Sequence, residues 1–412
     1  MRKVCCLFLA LCFLSVSHAV YAQEEDYEEE SYDIDSMFDS AEDTELTQEE
    51  EQNNQPAVTP VTQDLTQNIK LYGSFNASMG LLGKVYPDDA LLPFAAFENY
   101  LGFTARPARD ITVKGQVYTC FPDFGITIDQ LYVDYILKDF MYITAGATAT
   151  AWGNSLLFDT NILDDEDTDV TVVFNNEHKA TKRFDALFTI PVGRGQIQAI
   201  GMYNGSNVND LDKKYLSYAA AVEYPLGPFS IKLFGRKWAS ADEKAMKPAV
   251  GAEISTDLFG NHINLWGKIH TPRGRFEDIS YAKFVGGISH LWTPDNLGKI
   301  GFVAEYQFIY DSRSTDDKKD VKRSNDLALT FAWRHIGQSD ISVAAQWYIH
   351  LDDKSGYFIP SLSLDTFSHV TMTFIAPIIY GGASYTYKTT FTSTKDFPTI
   401  LLGVIFTLSL DY

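Results

Sequence analysis

The chain has 412 residues and a formal net charge of −21, from 33 Lys and Arg against 54 Asp and Glu. So acidic a balance excludes a basic nucleic-acid-binding surface. Four cysteines, three of them in the first twelve residues, exclude both a disulfide framework and Cys-ligated zinc in the exported chain.

Arg2 and Lys3 form a basic start, residues 4–16 are almost wholly apolar, and Val20-Tyr21-Ala22 offers a small-residue cleavage site. Residues 1–22 therefore read as a secretory signal peptide, outside the fold. Cys5, Cys6 and Cys12 leave with it, and Cys120 remains alone. Residues 24–51 hold fifteen acidic side chains and no Lys or Arg, so that residues 52–412 carry only −8. This tract repels itself and has little apolar surface to bury. Residues 23–68 are expected to be a disordered periplasmic segment and linker. Within it, Tyr32-Asp33-Ile34-Asp35-Ser36-Met37-Phe38 alternates apolar and acidic groups. It reads either as a docking motif for a periplasmic partner or as part of a solvated tail.

From Ile69 onward the hydrophobic period is two. Ile111, Val113, Gly115 and Val117 alternate with Thr112, Lys114, Gln116 and Tyr118. Leu327, Leu329, Phe331 and Trp333 alternate with Asp326, Ala328, Thr330 and Ala332. Alternate side chains of a strand point to opposite faces, so each segment has one apolar and one mixed face. No segment offers 18 consecutive apolar residues, which excludes a helical membrane span. Short turns (106–110, 137–140, 191–195, 225–228, 258–262, 293–298, 336–339, 365–368) alternate with longer polar connections (81–96, 150–182, 204–214, 239–247, 271–280, 311–324). That alternation predicts an all-β fold, a transmembrane up-and-down antiparallel β-barrel over residues 69–412. Aromatics make up 14% of the chain. Tyr142, Tyr203, Trp238, Trp292, Tyr310 and Trp333 near strand ends suit interfacial girdles. Counting 369–376, 380–391 and 400–412 separately gives nineteen strands, but two ends on one side of a membrane need an even number. One segment around Pro377 or Gly381-Gly382 is therefore not a barrel strand. The expectation is 18 strands, with 16 as alternative.

The inward alternation assigns Lys114, Tyr118, Tyr132, Asp134, Lys232, Arg236, Lys268, Glu305, Arg334 and Gln346 to the lumen as pore-lining candidates. The 150–182 connection exceeds ordinary loop length. It carries Asp159, Asp164, Asp165, Glu166, Asp167 and Asp169, which read as constriction-loop carboxylates if the loop folds inward, and otherwise as a solvated excursion or as surface Ca²⁺ ligands, although the run 164–169 lacks the Gly and terminal Glu of an EF-hand loop. G-x-S-x-G, H-E-x-x-H and phosphate-binding Gly-rich loops are absent, and the histidines include no i, i+4 pair. No catalytic site, metal or cofactor is expected.

The last nine residues place Val404, Phe406, Leu408, Leu410 and Tyr412 in one apolar row ending on an aromatic. This row resembles the C-terminal signal by which bacterial outer-membrane barrels are recognised by the barrel-assembly machinery. Gln130-Leu131-Tyr132-Val133-Asp134-Tyr135, then Met141 to Gly146 and Trp152-Gly153, resembles a strand-turn-strand-loop unit of large porin-like proteins. With the leader and acidic stretch, the layout resembles a spirochaete-type outer-membrane porin. Ala147 and Thr148 stand where that unit often carries a Lys or Arg and a Gln, so no pore role of a basic residue is carried over. The resemblance implies an outer-membrane location, contact with membrane lipid, and a water-filled channel for passive diffusion of small polar solutes or ions. It leaves self-association into a homo-oligomer open. The alternative functions are a structural or adhesive barrel with ligand-binding external loops, and a transporter of hydrophobic substrates. For the latter, residues 23–68 are too poor in apolar groups to form a plug.

Overall fold

The structure, a computed structural model, describes residues 69–86, 90–121, 125–138, 140–148, 150–163, 183–203, 215–237, 248–270, 279–294, 296–312, 322–367, 369–387, 389–393 and 398–411. The leader, the acidic tract, Asp164 to Asp169 and Tyr412 lie outside these residues.

Alternation of apolar and polar side chains produces strands almost throughout. They are β1 (Ile69–Tyr86), β2 (Ala90–Ala108), β3 (Ile111–Phe121), β4 (Gly125–Leu137), β5 (Met141–Thr148), β6 (Arg183–Val192) and β7 (Gly195–Tyr203). There follow β8 (Leu216–Leu226), β9 (Phe229–Lys237), β10 (Pro248–Leu258), β11 (Asn261–His270), β12 (Tyr281–Trp292), β13 (Lys299–Asp311) and β14 (Lys322–Arg334). The last are β15 (Ile341–His350), β16 (Ser355–Phe367), β17 (Val370–Ile375), β18 (Ile378–Tyr380), β19 (Ser384–Tyr387), β20 (Thr389–Thr392) and β21 (Thr399–Asp411).

Consecutive strands pair antiparallel around the sheet, and β21 returns to pair with β1, from Ser74 opposite Asp411 to Tyr86 opposite Ile400. The sheet is closed. β17 and β18 are two pieces of one barrel strand, since each pairs with β16 on one side and β21 on the other. Pro377 interrupts it by lacking an N–H. The break is bridged by hydrogen bonds from Ala376 N–H to Pro360 O (3.1 Å) and from Leu401 N–H to Pro377 O (2.9 Å). β19 and β20 pair only with each other. The barrel thus has 18 strands, and the 380–391 segment is the tail of β18 plus a separate hairpin rather than a nineteenth strand.

One end of the barrel carries the short turns, such as 193–194, 227–228 and 259–260, together with both ends of the barrel chain. The other carries the longer connections 149–182, 204–215, 238–247, 271–280, 312–321 and 381–398. At 259–260, Phe259 and Gly260 both have positive φ (54° and 75°), the geometry that joins two twisted strands in a two-residue turn. The expected 81–96 loop is not one: β1 and β2 run on to Tyr86 and from Ala90, paired up to Lys84 opposite Ala90. Their apolar residues, Leu81, Leu82, Leu91 and Leu92, keep the pairing of the two strands.

Outward positions are apolar around the circumference. Leu71, Ile126, Phe184, Leu216, Leu233, Leu265, Phe284 and Phe406 are all exposed. Soluble monomers do not leave so extensive an apolar belt uncovered. Among the expected girdle residues, Tyr142 and Trp292 are exposed, whereas Tyr203 is buried and meets Tyr215 edge-on at 6.2 Å. Trp238 lies outside the described residues. Within β21, Phe406 and Leu410 are exposed with the apolar row while Leu401 and Ile405 turn inward and are buried.

Because Phe406 sits between Met79 of β1 and Met372 of β17 at the closing seam, Phe406→Pro removes a ladder donor there. The expected result is loss of the fast-migrating folded band on unboiled gels and of β-type circular dichroism in detergent. A variant migrating like the parent would show that the seam does not hold the barrel closed.

Candidate functional site

The segment 150–163 leaves β5 and turns into the barrel. It is knitted by its own short polar groups. Trp152 N–H donates to Asn161 Oδ1 (2.9 Å), Ile162 N–H to Trp152 O (3.0 Å), and Ser155 N–H to Thr160 Oγ1 (3.2 Å). Gly153 has φ +145°, and a Cβ there would stand 2.6 Å from the Thr160 carbonyl oxygen, so the close approach of the loop's two arms requires glycine. The result is a compact Ω-like turn.

Its anchor is Glu305 on β13, 3% exposed. One carboxylate oxygen accepts from the Ser155 hydroxyl (2.5 Å), Leu157 N–H (2.9 Å) and Phe158 N–H (3.1 Å). The other accepts from Leu156 N–H (2.7 Å). Successive backbone amides form a concavity suited to an anion, and here a side chain of the barrel wall fills it. Gly287, opposite Glu305 on β12, leaves the room: a Cβ there would lie 2.7 Å from Glu305 Cγ. Two cations add ties. Lys283 Nζ donates to Asp159 O, and Lys232 Nζ lies 5.7 Å over the Trp152 ring while pairing with Glu223 at 3.8 Å.

The apolar side chains of the loop are completed by the wall. Leu157, Phe158, Ile162 and Leu163 are fully buried in one cluster with inward-facing Met202, Phe234, Trp266, Val303, Ile379 and Ile405. Each such side chain, once buried, contributes about 1.5–3 kcal/mol. Packing therefore supplies the larger share of the adhesion, and Glu305 fixes where the loop sits.

The ten expected lumen residues all fall on inward positions of their strands, but they meet different surroundings. Lys114 holds its Nζ 5.8 Å over the Tyr132 ring, Tyr118 packs against Tyr100 at 4.7 Å, and Asp134 accepts from Thr144 Oγ1 at 2.6 Å. These are half-buried, as are Lys232, Arg334 and Gln346. Arg236, Lys268 and Glu305 are buried, with Lys268 Nζ 5.9 Å from the Trp266 ring and 5.7 Å from the Tyr281 ring. They lack the open wetting that a bare pore gives, and at Glu305 it is the 150–163 loop that covers the wall. Of the loop carboxylates, Asp159 accepts from the Asn161 N–H at 2.9 Å, inside the loop. Asp164, Asp165, Glu166, Asp167 and Asp169 lie outside the described residues.

Sequence reasoning missed a second buried carboxylate. Asp326 on β14 accepts from Ser324 Oγ (2.5 Å) and Tyr348 OH (2.8 Å) and contacts His350 Nδ1 (2.7 Å) on β15. The signal was in the alternation of both strands, but only the register, Asp326 opposite His350, brings it together. Among the described residues, no group of three or more His, Cys, Asp or Glu is arranged to hold a metal ion.

No protein-family model matches the chain, and no curated protein matches it in sequence. Its fold is similar to solved structures. OccK3 (OpdO) of Pseudomonas aeruginosa matches at 10% identity and a TM-score of 0.51, covering 85% of this chain and 97% of that one. OccK9 (OpdG) of the same organism matches at 8% identity and 0.50, covering 85% and 100%. The P. aeruginosa outer membrane protein opdK aligns at 9% identity and 0.47, covering 83% and 99%.

Glu305→Ala leaves Ser155 Oγ and the Leu156 and Leu157 amides without their acceptor, while Phe158 N–H keeps a bond to Ser155 Oγ at 3.2 Å. At about 1–3 kcal/mol per orphaned donor, even one costs the docked loop enough to raise local opening by about fivefold or more. Hydrogen exchange at Leu156, Leu157 and Phe158 is expected to accelerate accordingly, with strand amides of β13 unchanged. Equal exchange in parent and variant would remove Glu305 as the anchor.

Proposed function

We propose that this chain is an outer-membrane channel for passive diffusion of small polar solutes, with the 150–163 loop narrowing its lumen. The observation that carries the reading is the clamp of that loop onto Glu305 inside a closed 18-strand barrel. A barrel of that strand number encloses more space than its inward side chains fill. The apolar belt outside supports residence in a bilayer, and the fold shared with the Pseudomonas barrels fits the same reading. The signal peptide, the acidic periplasmic segment and terminal recognition by the assembly machinery belong to this proposal as its export route. The hydrophobic-transporter alternative is the weaker one, because the apolar surface inside the lumen is taken up by the chain's own loop.

In planar bilayers the purified protein is expected to give discrete, reproducible conductance steps. Removing residues 156–163 should enlarge the step, since the occupied part of the cross-section is vacated. Persistently silent bilayers, with folded protein verified by gel mobility, would sink the channel reading. A step unchanged by the deletion would sink the narrowing role alone.

A further inference from the structure

The loop divides the lumen into two unlike walls. On β9 to β14 the inward charged groups Arg236, Glu253, Lys268, Lys283, Glu305 and Asp326 are buried, whereas Arg334 is half-buried near the short-turn end and Lys232 is half-buried, held by Glu223 and the Trp152 ring. The inner face of β1 to β4 is different. Tyr72, Tyr100, Gln116, Tyr118, Gln130 and Tyr132 are half-buried and stand on inward positions.

Register places these groups side by side. Tyr72 stands opposite Gly102, and Gly102 opposite Gln116. Tyr100 stands opposite Tyr118, and Gln116 opposite Gln130. A Cβ on Gly102 would lie 2.4 Å from Tyr72 Cζ, so that glycine is the seat on which the Tyr72 ring rests. Glu98 opposite Cys120 lies one inward step to one side of the Tyr100–Tyr118 pair, and Lys114 opposite Thr104 lies two steps to the other. Between those two rows, the inward positions of β1, β2 and β3 are Tyr72, Ser74, Tyr100, Gly102, Gln116 and Tyr118, none of them charged.

We propose that this wall is a binding track for uncharged polyhydroxylated solutes, sugars of one to a few rings. The inference rests on the channel reading and names its substrate class. A sugar ring presents one face of C–H groups, which packs on the electron-rich face of a phenol ring. Its hydroxyls both donate and accept, and so match carboxamides and phenolic hydroxyls, which do the same. A charged solute would need a fixed counter-charge that the accessible neutral stretch does not present, so it would leave its charge poorly solvated there.

The test uses the full mature chain in planar bilayers with maltotriose added on one side. Brief current interruptions are expected, with a frequency that rises linearly with sugar concentration. Tyr100→Ala and Tyr118→Ala should each weaken the block about tenfold, the worth of one ring contact. Tyr100→Phe should keep most of it, and serves with Gln116→Leu if an alanine variant does not fold by gel mobility. Succinate and arginine at equal concentration should interrupt the current less than the sugar. A conducting channel that maltotriose does not interrupt would overturn the sugar track and leave the channel reading standing. So would alanine variants blocked like the parent, or stronger block by succinate or arginine. Absence of any conductance would take down both.

Discussion

A sheet in apolar surroundings has nowhere to put an unpaired backbone group. Each exposed N–H or C=O there costs several kcal/mol, and only closure removes the edge. The pairing of β21 with β1 meets that constraint here, from Ser74 to Tyr86 on one side and Ile400 to Asp411 on the other. Side chains reinforce the seam where they face inward: Ser78 Oγ and Thr407 Oγ1 lie 3.3 Å apart. Closure with an even number of strands puts both ends of the barrel chain at the short-turn end. It also turns one face of every strand into a wall around an enclosed space, and all other features of the molecule are arrangements within that space. The break at Pro377 is tolerated because neighbours on both sides still find its carbonyl and the adjacent amide.

Inside, the two halves of the wall follow different rules. On β9 to β14, most inward charges are buried, and several have specific partners. Asp326 gathers three side chains, Glu305 collects a run of backbone amides, and Lys268 rests between two aromatic rings. A charge removed from water needs such partners to stay buried without large cost. On β1 to β4, the inner face carries Glu98, Lys114 and Asp134 around a short uncharged stretch where the Tyr100 and Tyr118 rings meet across strands. Loop docking thus separates covered from uncovered inward residues, although all of them share the same inward alternation.

Strand period, turn spacing and the barrel architecture were legible in the sequence because each depends on neighbours within ten or so residues. Lys114, Tyr132 and Arg334 could be assigned an inward direction by counting in twos. The 81–96 segment was misread because its Gly, Pro and Asp residues signal a loop, while pairing with a long partner strand overrides that local preference. The surplus strand arose from Gly381-Gly382, which marks where β18 hands over to a free hairpin rather than where a new barrel strand begins. Nothing local identified Glu305 as an anchor. A glutamate in an alternating strand looks the same whether it faces water or a nest of amides contributed by a distant loop.

That distance has a consequence for assembly. Ser155 and Glu305 are 150 residues apart in the chain, and eight strands, β6 to β13, must be in place before the carboxylate reaches its donors. Until then Leu157, Phe158, Ile162 and Leu163 have only part of the wall that later covers them. Closing so long a span carries an entropic cost that short-range pairing of hairpins does not. The clamp on Glu305 therefore forms only after β6 to β13 have come together. Until the loop docks, the space inside the barrel is therefore wider than in the finished protein.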